Sequence, residues 1–250
     1  MGDARLGRPR RARRPVRGGR FVTGAAPKLV IFDVDGTLVD SQAHILASMT
    51  WAFEALEMAP PGREATLSIV GLSLPEAMAR LVPDAPDGLN ARLVEAYKDS
   101  FAALRRSGNQ AAQSPLFPGA MEALHALAAR EDVLLGVATG KSRRGLDHLF
   151  DLHGFGPLFH TVQVADDHPS KPHPSMVLTC LGDTGVAPEN AVILGDTTYD
   201  IEMGRAGGIH AIGVGWGYHA GDALHAAGAT EILPDFAALP QALSAIWGMR

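Results

Sequence analysis

The stretch FDVDGTLVDS, residues 32–41, places two carboxylates two positions apart at the end of an apolar run: LVIF leads into Asp33, Asp35 follows, and then Gly36 and Thr37. Carboxylates at the end of a buried strand are costly unless a cation or a reaction uses them. In an open parallel sheet the C-terminal strand ends are also where ligands bind. The pattern recurs in AVILGDTTYD, residues 191–200, with Asp196 at the strand end and Asp200 four residues on. The Asp200 charge suits the start of a helix. Two strands that each end in Asp, each with a second Asp nearby, point to a shared divalent cation, and hard oxygen ligands suit Mg²⁺. A calcium loop is excluded, because it needs an acid or Asn at position 37 and Glu at 44, where this chain has Thr37 and His44.

Two further groups favour a phosphate. Lys171 sits in HPSKPHP, where Pro169 and Pro172 stiffen the loop and aim the ammonium group. Thr139 closes the run VLLGVAT and precedes GKS and a helical pattern. A hydroxyl beside backbone N–H groups ahead of a helix favours anions. The TGKS sequence is not a P-loop, which needs four residues between its glycines. Only three separate Gly136 from Gly140.

These groups need a sheet to hold them. Short apolar runs alternate with helical patterns, which implies βαβ units on a parallel sheet. Strands are expected at Lys28–Asp33, Val133–Thr139, Thr161–Ala165, Ala191–Asp196, Ala211–Gly215 and Glu231–Leu233, and helices near Ala120–Ala129, Arg144–Leu152, Ser175–Leu181 and Asp200–Ala206. Residues 42–112 break this rhythm. Ile45, Leu46, Met49, Phe53 and Leu56 mark one amphipathic helix, and Leu89, Leu93, Tyr97, Phe101 and Leu104 another. SGNQAAQSP (107–115) reads as a linker back to the sheet. The expected fold is α/β: a Rossmann-like parallel sheet core with a small helical cap domain inserted after the first strand. The expected divisions are an Arg-rich leader at 1–26, a core at 27–41 and 113–240, a cap at 42–112 and a C-terminal tail at 241–250.

Charge separates the leader from the rest. Residues 1–20 hold eight Arg against Asp3, a net +7, so the whole-chain charge of −5 leaves −12 on the other 230 residues. A body that acidic argues against a nucleic-acid partner, and the leader, nearly devoid of apolar residues, reads as unstructured or as an upstream start. No apolar run approaches the roughly 18 residues of a membrane span. The single cysteine, Cys180, excludes an intrachain disulfide and reads as a small buried hydrophobe. A cytoplasmic setting fits.

DxDGT at 33–37, Thr139 at a strand end, Lys171 in a loop and GDTxxD at 195–200 resemble, in order, the four motifs of the haloacid dehalogenase-like hydrolase superfamily. LFPGAMEAL, KPHPSMVL and AGGIHAIGVGWGY resemble its phosphoglycolate phosphatase-like branch. The resemblance spans about residues 28–240. It implies a Mg²⁺-dependent phosphatase acting on a small phosphorylated metabolite, phosphoglycolate-like, through an aspartyl-phosphate. Asp33 would be the nucleophile and Asp35 the general acid and base. Mg²⁺ would be held by Asp33, Asp196 and the carbonyl of Asp35, and Asp200 would orient Lys171 or a water. Thr139, Gly140, Lys171 and the backbone near Gly36 and Thr37 would bind the phosphate. SIVGLSLPE (68–76) would read the leaving group. A sugar phosphomutase and a pyrophosphatase on the same scaffold are the alternatives, and a non-catalytic binding module is the reading from another class. His44, Arg63, Arg80 and Lys98 could meet a second anion, or could lie on solvated helix faces.

Overall fold

The computed structural model describes residues 26–107 and 114–248; the Arg-rich leader and most of the 107–115 linker lie outside them. Six strands form one parallel sheet: β1 (Lys28–Phe32), β2 (Val133–Thr139), β3 (Thr161–Val164), β4 (Ala191–Gly195), β5 (His210–Val214) and β6 (Glu231–Leu233). Their spatial order is β3-β2-β1-β4-β5-β6. Every strand lies within one residue of its expected position. The reason is physical: a strand covered on both faces must be apolar throughout, and β1 and β4 are buried at every position.

Alternate residues of β1 enter different cores. Val30 and Phe32 pack with α5 (Ala120–Ala128), α6 (Arg143–His153) and α10 (Leu239–Trp247), whereas Leu29 and Ile31 pack with α7 (Ser175–Thr184), α8 (Thr198–Ala206) and α9 (Gly221–Ala227). The expected tail at 241–250 is largely helix: α10 buries Ala242 and Leu243 against the first of these cores. Phe155 is fully buried there, edge-on to Phe150 and Phe159. Phe155→Ala is expected to lose about 3–5 kcal/mol of stability, because such a cavity refills only in part; urea unfolding measures it.

Four helices follow β1: α1 (Gln42–Glu54), α2 (Arg63–Ser68), α3 (Leu74–Leu81) and α4 (Leu89–Ser107). α1, α3 and α4 enclose a core of their own, built on Met49, Phe53, Met78 and Leu93, to which the sheet half contributes Tyr199 of α8, while Leu67 of α2 packs with Ile45 and Val70. α2 and α3 are absent from the sequence-based expectation. They bury only two side chains each, too few to write a helical period. Among the described residues, no helix is long and apolar enough to cross a membrane.

Strand order reverses at β1. The chain runs outward through β2 and β3, then returns to place β4 on the other side of β1. This switch point leaves a crevice beyond the carboxyl ends of β1 and β4. Phe32 pairs with Leu194 in register; Asp33 follows the one directly and Asp196 the other by two residues, and their carboxylates come together at its floor.

Candidate active site

Asp33 leaves β1 with its backbone N–H donating to the Leu194 carbonyl at 2.9 Å, which locks its position against β4. Its side chain is 1 % exposed. Oδ1 pairs with Lys171 Nζ at 2.9 Å, while Oδ2 has no hydrogen-bond partner among the described residues. Lys171 Nζ also donates to Asp200 Oδ1 at 2.6 Å. Asp200 is the third residue of α8 rather than its first: Thr197 caps the helix, and its N–H and hydroxyl donate to Asp200 Oδ2 at 3.1 and 2.7 Å. Asp196 accepts from the Thr37 hydroxyl at 3.0 Å and from the Tyr218 N–H at 2.9 Å.

Two acids thus hold one buried cation, and a third lies beside them. Carboxylate oxygens of Asp33, Asp196 and Asp200 lie within 4.8 Å of one another, all buried. Burial pushes the Asp33 carboxyl up to about 7, with Lys171 pulling it back and Asp200 and Asp35 adding repulsion. Burial, then Asp33 and Asp200, raise Asp196 well above the usual carboxylate range. For Lys171, burial works against the charge, but Asp200 and Asp33 outweigh it and hold its pKa above the ordinary lysine value. One lysine cannot neutralise three carboxylates. An all-oxygen donor set with one unpartnered carboxylate oxygen fits a hard divalent cation.

The DxDGT turn is fitted tightly around Asp196. Gly36 has φ +87°, and a Cβ there would meet Asp196 Oδ2. The Gly36 and Thr37 N–H groups donate within the turn, to the Val39 and Val34 carbonyls at 2.9 and 3.3 Å. Both amides donate within the turn and the Thr37 hydroxyl donates to Asp196, so these two residues also hold Asp196 in place. Trp216 Nε1 donates to the Thr37 carbonyl at 3.1 Å, bracing the same turn from β5's exit.

Thr139 ends β2 beside the crevice, 1 % exposed, and its hydroxyl oxygen accepts the Lys141 N–H at 3.2 Å. Its own hydroxyl proton is left to donate. Gly140 is needed for packing: a Cβ there would strike the Gly71 and Leu72 carbonyls. The 69–73 segment between α2 and α3 therefore lies directly on the TGKS turn. It is also tied down by Ser73 N–H to Ser170 Oγ at 2.8 Å and by the Tyr199 hydroxyl to the Ser68 carbonyl at 2.9 Å.

Lys141 is the residue the sequence left without a role. Its Nζ pairs with Asp35 Oδ2 at 2.9 Å and sits 5.0 Å over the Phe101 ring of α4. The GKS motif displayed it, but nothing local says that it reaches Asp35. Asp35 Oδ1 has no hydrogen-bond partner among the described residues. His44 is corrected from a solvated face to the interior: it is 5 % exposed and stacks on Phe101 with ring centroids 3.8 Å apart. Arg80 donates to the Tyr199 hydroxyl at 2.6 Å, and Arg63 to Gln42 Oε1 at 2.8 Å. Lys98 is exposed and paired with Glu95 at 2.7 Å. Above the acids a cavity of about 850 Å³ opens between the strand ends and helices α1, α3 and α4.

Residues 30–214 match the family model described as haloacid dehalogenase-like hydrolase. A protein of Dickeya dadantii named probable phosphatase IndB is 34% identical over 220 residues, covering 87% of this chain and 94% of its own length. A phosphoglycolate phosphatase of Pseudomonas putida is 27% identical, over 86% of this chain and 79% of its own. Among solved structures, a haloacid dehalogenase-like family hydrolase from Streptococcus pneumoniae superposes with a TM-score of 0.74 at 22% identity, covering 86% of this chain and 98% of that one.

Proposed function

The chain belongs to the haloacid dehalogenase-like hydrolases and is a phosphatase, and we propose that it hydrolyses a small phosphate monoester with Mg²⁺ through an aspartyl-phosphate on Asp33. The observation that carries this reading is Asp33 itself. It is a fully buried carboxylate at the switch point that lines the cavity, with one oxygen paired to Lys171 and the other without a partner among the described residues.

Asp33 Oδ2 attacks phosphorus, the bond from phosphorus to the leaving oxygen breaks opposite it, and the acyl phosphate forms. Asp35 delivers the proton to the leaving alcohol and then takes one from the water that cleaves the acyl phosphate, returning Asp33 to its starting state. Asp35 Oδ1 is the oxygen available for that proton, since Oδ2 is occupied by Lys141. Proton transfer of this kind contributes about 10²–10⁴-fold. Lys171 and the Thr139 hydroxyl hold the phosphate oxygens, and Asp200 keeps Lys171 aimed. Asp33, Asp196 and the Asp35 carbonyl would hold Mg²⁺, which when bound offsets the repulsion between a dianionic phosphate and the carboxylates. Helices α1 to α4 serve as the cap, excluding water while the acyl phosphate forms.

Phosphate release from a panel of monoesters and pyrophosphate is expected with Mg²⁺ and is expected to vanish in EDTA. Mg²⁺ at about 100 times its Kd should raise Tm by roughly 5–10 °C, the linkage of about 2.7 kcal/mol spread over a chain of this size. Asp196→Asn should abolish that shift. Release that survives EDTA would remove the metal from the reading.

A further inference from the structure

The cavity above Asp33 is larger and less polar than a two-carbon phosphate ester needs. At about 850 Å³ it approaches the upper end of the size range that encloses drug-sized ligands. Its floor carries the reacting groups Asp33, Asp35 and Thr139. Its cap wall is built from Ile45 and Met49 of α1, Leu72 of the loop and Phe101 and Ala102 of α4. A ligand that filled only the floor would leave this apolar wall facing water.

The charges around the cavity discriminate further. A second anion on the substrate would need a cation on the cap side of the phosphate. The lysine next to the floor, Lys141, is committed to Asp35 at 2.9 Å and to the face of Phe101. Among the described residues, the other cations lining the cavity, Lys98 and Arg144, are exposed, and Lys98 is paired with Glu95. Glu76 on the wall repels a carboxylate. The polar group among the apolar side chains of α4 is the Tyr97 hydroxyl, held in its neutral, donating form because burial and then the Asp35 charge raise its pKa.

We propose that the substrate is a phosphate monoester whose leaving alcohol carries an apolar body of aromatic-ring size or larger and no second anionic group. This rests on the phosphatase reading above and names its substrate class. The cap wall takes the body by burial, and Tyr97 donates to a polar atom on it. The chemistry at phosphorus is unchanged: the P–O bond to the alcohol breaks and the alcohol leaves with the proton from Asp35.

The test compares benzyl phosphate with 2-phosphoglycolate and pyrophosphate in the full chain with Mg²⁺. Benzyl phosphate and 2-phosphoglycolate release primary alcohols, so the comparison reads binding rather than leaving-group activation. A pocket filled by even one additional apolar group changes kcat/KM by about 10–200-fold, so benzyl phosphate is expected to be favoured by at least about tenfold. Calorimetry on Asp33→Asn, which retains the cavity, should rank the binding of the first two in the same order. Ala102→Phe, which fills the cavity, should lower kcat/KM for benzyl phosphate by about tenfold and leave 2-phosphoglycolate within about twofold, with an unchanged circular dichroism spectrum reporting an intact fold. Equal turnover, or a preference for 2-phosphoglycolate or pyrophosphate, overturns the proposal and leaves the phosphatase reading standing. No release from any of the three overturns both.

Discussion

Asp33→Asn is expected to lower phosphate release by at least about 10³-fold while leaving the protein as stable as wild type or more so. The loss of activity follows from the role of the carboxylate, since a neutral amide of the same shape does not attack phosphorus, and removing a nucleophile costs several orders of magnitude in rate. The stability result has a separate cause. Without metal, Asp33 is a buried acid whose pKa is pushed up to about 7, chiefly by desolvation. A group with its folded pKa above its unfolded value of about 3.8 stabilises the fold fully below that lower value and loses its contribution as pH rises through about 7. Metal-free wild type should therefore lose stability across this window, and Asp33→Asn should remove that part of the slope. Urea unfolding in EDTA at several pH values, beside a phosphate-release assay, reads both effects. A variant that keeps its activity would sink Asp33 as the nucleophile. A variant that is inactive and also destabilised would mean that the charge holds the fold together, and the site would then be structural.

The parts of this molecule legible in its sequence are those written by local rules. Strands β1 and β4 announce themselves because burial on both faces demands unbroken apolar runs, and Asp33 and Asp196 stand out because they end those runs. α1 and α4 are long enough to show a helical period. α3 and α9 are not: α3 buries only Ala77 and Met78, and α9 only Leu224. Helix α8 begins two residues before Asp200, and the sequence does not show this because the cap, Thr197, is recognisable only from its bonds to the Asp200 side chain and N–H.

What the sequence withheld is what long-range packing creates. Lys141 and Asp35 are more than a hundred residues apart, and their pairing exists only because β2 lies beside β1. The burial of His44 depends on Phe101, 57 positions later and on a different helix. The apolar wall of the cavity draws on α1, α4 and the loop before α3, none of whose inward faces can be assigned before their packing is known. The motifs thus place the acids at the strand ends, and only the packing of the helices over them forms the wall of the cavity.

Lys171→Met carries the second large effect, and it tests the electrostatic account of the site independently of catalysis. The side chain is fully enclosed and meets Asp33 Oδ1 at 2.9 Å and Asp200 Oδ1 at 2.6 Å. Methionine fills much of the same volume, so the change removes charge more than packing. Two carboxylates are then left buried without their cation, beside a third at Asp196. Breaking one side of a buried ion pair costs about 3–5 kcal/mol, which corresponds to a fall in Tm of roughly 6–20 °C for a chain of this size. The loss should appear in EDTA and shrink when Mg²⁺ is added, because the ion supplies part of the missing positive charge. Activity should not return with stability, since Mg²⁺ does not replace the ammonium group on the phosphate. The double variant Lys171→Met with Asp33→Asn should recover a large share of the lost stability even in EDTA, because one of the stranded charges has gone. Thermal melts of the wild type, both single variants and the double variant, each with Mg²⁺ and with EDTA, close this cycle. If Lys171→Met melts with wild type in EDTA, the three acids are not held as buried charges. The reason for placing a cation among them then fails with it.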